Sequence, residues 1–94
     1  MLTYEEIKNN ITPYIDEFGI KRAGVFGSVA RGNATEKSDV DLIFDFQKDF
    51  GILALSRFKM ELEERLGKKV DIVEFSSLDP LIADDVMKEV VYII

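Results

Sequence analysis

Apolar positions along the chain change their period repeatedly, and each change marks an element. Ile7, Ile11, Tyr14, Ile15 and Phe18 recur at three- and four-residue steps, the spacing of one helix face. Thr3 followed by Glu6 has the form of a capping box at the start of this run, and Gly19 stops it. Pro13 lies inside the run. Proline lacks the N–H and collides with the preceding turn, so the pattern predicts a break near Thr12. Residues 20–26 (IKRAGVF) read as a short strand that ends at Gly27-Ser28, Gly32-Asn33 closes a turn, and residues 33–38 are a polar loop. From Asp39 to Phe46 the alternation is strict. Val40, Leu42, Phe44 and Phe46 take one face of a strand, and Asp39, Asp41, Ile43 and Asp45 the other.

The helical period then returns over residues 51–66, with Leu55, Phe58, Leu62 and Leu66 as its apolar stripe. Glu61 and Arg65 are spaced to pair on its surface, and Gly67 is placed to end it. Residues 69–75 (KVDIVEF) predict a third strand and 76–80 a loop. Residues 81–90 predict a last helix, entered through Leu78-Asp79-Pro80. The tail Val90-Val91-Tyr92-Ile93-Ile94 is apolar and must be covered, by the domain's own core in preference to a partner. Alternating helices and strands in this order predict an α/β fold of the α+β type, a small mixed β-sheet with helices packed on it. Residues 1–94 are expected to form one domain.

Composition narrows the chemistry. Of 94 residues 47% are apolar, which supports one core of modest stability. The chain has no cysteine and no histidine, so thiol chemistry, disulfides, structural zinc and imidazole catalysis are excluded. Carboxylates, hydroxyls, Lys/Arg and bound ions remain. Glu5 and Glu6 interrupt the first ten residues, unlike a signal peptide, and no apolar run approaches the ~20 residues of a membrane span; a cytoplasmic protein is expected. Eighteen acidic against twelve basic residues give a net charge of −6, which disfavours direct nucleic-acid binding and suits a basic partner.

Candidate chemistry gathers in three places: Gly27-Ser28-Val29-Ala30-Arg31-Gly32 at a strand end, Asp39-Val40-Asp41 at the next strand's start, and Asp71 in the third strand. Two residues apart on a strand, Asp39 and Asp41 leave the same face with Cα atoms roughly 6.5–7 Å apart. If the third strand lies beside this one, Asp71 arrives from ~4.8 Å away and completes a cluster of three carboxylates. Charges ~4 Å apart repel by about 4 kcal/mol at an effective dielectric of 20, so the cluster calls for a cation. Oxygen-only ligation suits Mg²⁺. Glycine lets backbone approach a phosphate closely, and the Ser28 hydroxyl can add a donor. Arg31 can bind phosphate or pin the loop to a carboxylate, with pinning slightly favoured. Any one of these features is ordinary. Six specified residues at fixed spacing arise by chance in so short a chain at well under ~1 in 10,000, given roughly 6–7% usage per residue type.

Gly27-Ser28, ten intervening residues and Asp39-Val40-Asp41 resemble the GSX10DXD signature of the polymerase-β-like nucleotidyltransferases, in particular their minimal branch. The resemblance continues through Leu66-Gly67-Lys68-Lys69-Val70-Asp71-Ile72-Val73 and the closing Met87-Lys88-Glu89-Val90-Val91-Tyr92-Ile93, and so spans essentially the whole chain. It implies an enzyme that binds two Mg²⁺ ions and moves AMP, or another NMP, from ATP or another NTP to an acceptor hydroxyl. Asp39 and Asp41 would hold both ions, and Asp71 one ion while helping to deprotonate the acceptor. Gly27 and Ser28 would take the β- and γ-phosphates. Members of the branch often act as antitoxins of HEPN-domain toxins, some by adding AMP to a toxin tyrosine, and every motif residue is present here. The chain is short for an acceptor domain of its own, so the acceptor is expected to lie on a partner or to be a small molecule. Two alternatives stand beside this reading: an antitoxin that neutralises its toxin by binding alone, and an adenylyltransferase acting on a small hydroxyl compound.

Overall fold

Pro13 acts as its chemistry requires. In the computed structural model, which describes residues 2–94, helix α1 (Tyr4–Ile11) gives way to a 3₁₀ turn at Thr12–Tyr14 before the short α2 (Ile15–Phe18). Met1, at the head of the stretch compared with a signal peptide, lies outside the described residues. Thr3 caps α1 by accepting from the Glu6 N–H at 3.1 Å. Gly19 ends α2 in the left-handed conformation. The segments share one buried face, with Ile7, Ile11, Tyr14 and Phe18 all in the core.

The sheet has four strands, β1 (Ile20–Phe26), β2 (Val40–Phe46), β3 (Val70–Glu74) and β4 (Val91–Tyr92), in the order β3-β2-β1-β4. β2 runs antiparallel to β1 and parallel to β3, so α4 (Ile52–Leu66) is the crossover between two parallel neighbours. The parallel β2–β3 pair is the adjacency the aspartate spacing called for. Val40, Leu42 and Phe44 point into the core, where Phe58 of α4 meets Phe18 at 4.6 Å and Phe44 at 5.4 Å between ring centroids.

Three expectations change. Leu55 is not in the core stripe of α4. Ala54, four residues before Phe58, packs there instead, and Leu55 turns toward a cavity at the β3 edge. Glu61 pairs directly with Arg57, at 3.5 Å, and meets Arg65 only through the Tyr14 hydroxyl, which donates to Glu61 (3.2 Å) and accepts from Arg65 (3.0 Å). An aromatic hydroxyl from the 3₁₀ turn comes between them because Tyr14 is buried against Phe58.

The tail supplies the third difference, a fourth strand. β4 adds to the free edge of β1 with Gly24 opposite Tyr92 and Val25 opposite Val91. Ile93 and Ile94 pack against the core, so the domain's own interior covers most of the tail. Gly24 permits this approach, because a Cβ there would lie 2.4 Å from Val90. Ile43, on the aspartate face of β2, is consequently buried. Helix α5 (Pro80–Glu89), capped by Asp79, buries none of its residues, and Leu81 stays 88% exposed. Among the described residues no helix is long and apolar enough to cross a membrane.

Candidate active site

A single row of residues crosses three strands. Phe26 of β1 pairs with Asp41 of β2, and Asp41 pairs with Asp71 of β3. Both aspartates therefore leave the sheet side by side on one face. β1 ends with Phe26, and the chain turns at once into α3 (Gly27–Arg31), which sets Gly27 and Ser28 against the end of that row. Asp41 and Asp71 line an open cavity of about 610 Å³ together with Leu55, Ser56 and Lys59 of α4.

Gly27 is essential to this arrangement on two counts. Its φ of +73° lies where side chains are disfavoured, and a Cβ would fall 2.1 Å from Asp41 Oδ2. The carboxylate of the second motif thus rests on the bare backbone of the first.

The Asp41 carboxyl is pushed above its ordinary value. Burial is the largest cause, followed by the charge of Asp71, a hydrogen bond with Asp71 and the charge of Asp39; the Arg31 guanidinium pulls it back. Two carboxylates are thus held together against their mutual repulsion. Asp39 sits one residue before β2, exposed and outside the cavity lining, though its charge reaches Asp41. Among the described residues no three acidic side chains are gathered tightly enough to cage a metal. The structure thus joins Asp41 to Asp71 and leaves Asp39 alongside. The donor set nonetheless fits a hard cation: all its atoms are oxygen, and the charge pushing on Asp41 is what a cation relieves.

Arg31 is pinned. Its Nη1 stands 2.8 Å from Glu89 Oε1, at the last turn of α5, and the same oxygen accepts the Gly27 N–H at 2.6 Å. This contact has the form of the pinning alternative for Arg31, with a partner 58 residues away. Glu89 was not singled out by the sequence. It lies in the closing segment of the family resemblance, but nothing in its spacing marks a contact with Gly27.

A small mixed sheet that carries a glycine–serine turn at one strand end and facing aspartates on the next two strands defines a nucleotidyltransferase. Comparison with known proteins makes this specific: residues 9–94 match the family described as Polymerase beta, Nucleotidyltransferase, and the chain belongs to it, in its minimal branch. It is 44% identical over 97 residues to the protein adenylyltransferase MntA of Thermococcus cleftensis, covering 99% of this chain and 98% of that one. It is 42% identical over 90 residues to a candidate protein adenylyltransferase of Methanocaldococcus jannaschii, covering 96% and 97%. The solved structure of a candidate minimal nucleotidyltransferase superposes with a TM-score of 0.78 at 35% identity, over 96% of this chain and 95% of that one. A toxin–antitoxin structure with AMP-PNP superposes with a TM-score of 0.80 over 93% of this chain and 72% of that one. At 19% identity it speaks for the fold alone. The protein is an enzyme of nucleotidyl transfer.

Proposed function

We propose that this domain, residues 1–94, is a cytoplasmic protein adenylyltransferase that moves AMP from ATP to a hydroxyl, most naturally a tyrosine, of a HEPN-domain toxin and thereby acts as its antitoxin. The observation that carries the reading is the register that sets Asp41 beside Asp71 in front of Gly27-Ser28. The kinship with protein adenylyltransferases supports the AMP. The HEPN partner draws on fold neighbours that include a tri-AMPylated HEPN toxin from Shewanella oneidensis in complex with its MNT antitoxin.

In this reading Asp39, Asp41 and Asp71 hold two Mg²⁺ ions. Bound there, the ions would make the acceptor hydroxyl a better nucleophile and offset charge on the departing pyrophosphate. The chain's own work is placement. Gly27, whose bare backbone admits the phosphates closely, and Ser28, with its backbone N–H and hydroxyl, take the β- and γ-phosphates, which sets the α-phosphorus before the aspartates. Asp71, the more exposed member of the facing pair, takes up the proton that the acceptor hydroxyl gives up. The attacking oxygen bonds to the α-phosphorus as its bond to the pyrophosphate oxygen breaks.

Metal dependence is checked by melting. Mg²⁺ with ATP raises Tm by several degrees, because a ligand that binds only the folded chain stabilises it, and EDTA removes the gain. An equal gain from ATP alone overturns the metal assignment.

The acceptor is checked by intact mass of the partner toxin after incubation with this protein, ATP and Mg²⁺. One or more AMP increments are expected, and none with Asp41→Asn. A second reading, neutralisation by binding alone, draws on the exposed Leu81, Ile82 and Met87 of α5. It prevails if the toxin stays unmodified and both forms inhibit it equally.

A further inference from the structure

α3 has five residues, too few to hold a helix by its own hydrogen bonds. Its shape is imposed from outside. The Gly27 N–H at one end and the Arg31 guanidinium at the other converge on a single atom, Oε1 of Glu89. Both are charge-assisted contacts, at 2.6 and 2.8 Å. Between the two anchors stands Ser28, whose carbonyl accepts the Asn33 N–H at 3.1 Å and so closes the loop. α5 presents Glu89 from its last turn, and the tail beyond it is fixed by the pairing of β4 with β1.

We propose that Glu89 is a positioning residue of the transferase: by clamping both ends of α3 it sets Ser28 for the terminal phosphates of the nucleotide, without touching substrate. The inference rests on the placement of the β- and γ-phosphates at Gly27-Ser28 given above. It also assigns Arg31 to the scaffold, since its charge is spent on Glu89 and, at longer range, on Asp41. The competing account is that the Glu89 carboxylate occupies the place of a phosphate and must leave when nucleotide arrives. The two accounts predict opposite signs on its removal.

The test is calorimetric titration of the full chain with Mg·ATP and, separately, with AMP, for wild type, Glu89→Ala and Glu89→Gln. Loss of the clamp in Glu89→Ala weakens Mg·ATP binding about tenfold, the worth of one hydrogen bond. It leaves AMP, which lacks the terminal phosphates, unchanged; a merely structural defect weakens both. Glu89→Gln keeps a neutral acceptor for the Gly27 N–H and falls between wild type and Glu89→Ala. In the nucleotide-free protein, amide exchange of Gly32 and Asn33 quickens in Glu89→Ala while the exchange of β2 does not. Tighter or unaltered Mg·ATP binding by Glu89→Ala overturns the proposal, as does equal weakening of ATP and AMP. Failure of the wild type to bind Mg·ATP overturns the phosphate placement itself, and the proposal with it.

Discussion

Asp41→Asn is expected to lower nucleotidyl transfer by on the order of a thousandfold or more while the protein folds normally, because it removes the most constrained member of the pair proposed to hold the metal. Rate is measured as AMP incorporated from labelled ATP, and folding by circular dichroism. The variant has a second signature. Asp41 is the carboxylate whose ionised form the fold disfavours most clearly, through burial and then through Asp71 and Asp39. In metal-free solution Asp41→Asn should therefore melt higher than wild type. The direction with pH follows from linkage. A carboxyl raised by folding costs the native state nothing while it is protonated in both states. Its cost appears as pH rises through the ordinary carboxylate range and is complete above the raised value. The advantage of Asp41→Asn is thus absent in acid and full at neutral pH, and Mg·ATP should reverse it. A variant that melts well below wild type at neutral pH would show Asp41 to be structural, and the site would have to be drawn elsewhere.

Gly27→Ala should be as damaging to activity and worse for the fold. A left-handed φ of +73° costs an alanine about 1–2 kcal/mol. That strain alone lowers Tm by several degrees in a chain of 94 residues. The added methyl would also sit 2.1 Å from Asp41 Oδ2 and 3.0 Å from its Cγ. Either the carboxylate swings away from Asp71 or α3 lifts off the sheet. The loop and the facing aspartates cannot both keep their places, so transfer should fall to the level of Asp41→Asn. Near-wild-type transfer by a folded Gly27→Ala would mean that the contact between the two motifs is incidental. Ser28→Ala makes a useful contrast, because it removes a donor without moving any atom of the aspartates.

Much of this site could be read from the chain because its information is local. Asp39-Val40-Asp41 announces itself through strict alternation. Val40 and Leu42 face the core, which fixes where the aspartates point. The break at Pro13 and the bounds of β1 follow equally from neighbouring residues. What escaped depends on distant parts of the chain. The pairing of β4 with β1 joins residues about seventy positions apart, and a two-residue strand leaves no periodicity to read. Leu55 and Ala54 are both plausible in a helical stripe. Only the angle at which α4 lies across the sheet decides between them. Gly27 reads as a turn glycine until Asp41 is set beside it. Glu89 is one carboxylate among eighteen acidic residues until α5 brings it back to α3.

The return of residues 89–94 to β1 and α3 also bears on how the molecule comes into being. A nascent chain emerges from its N-terminus, and the stretch through β3 contains the whole aromatic cluster around Phe18, Phe44 and Phe58. That stretch can condense first. Until the closing segment is out, β1 has an unpaired edge and the Gly27 N–H lacks its acceptor. Loop closure over so long a separation adds little to the entropic cost, yet it must wait for synthesis. The turn at Gly27-Ser28 is thus the last region to take its final shape, and a chain cut before α5 would hold a formed core beside an unformed turn.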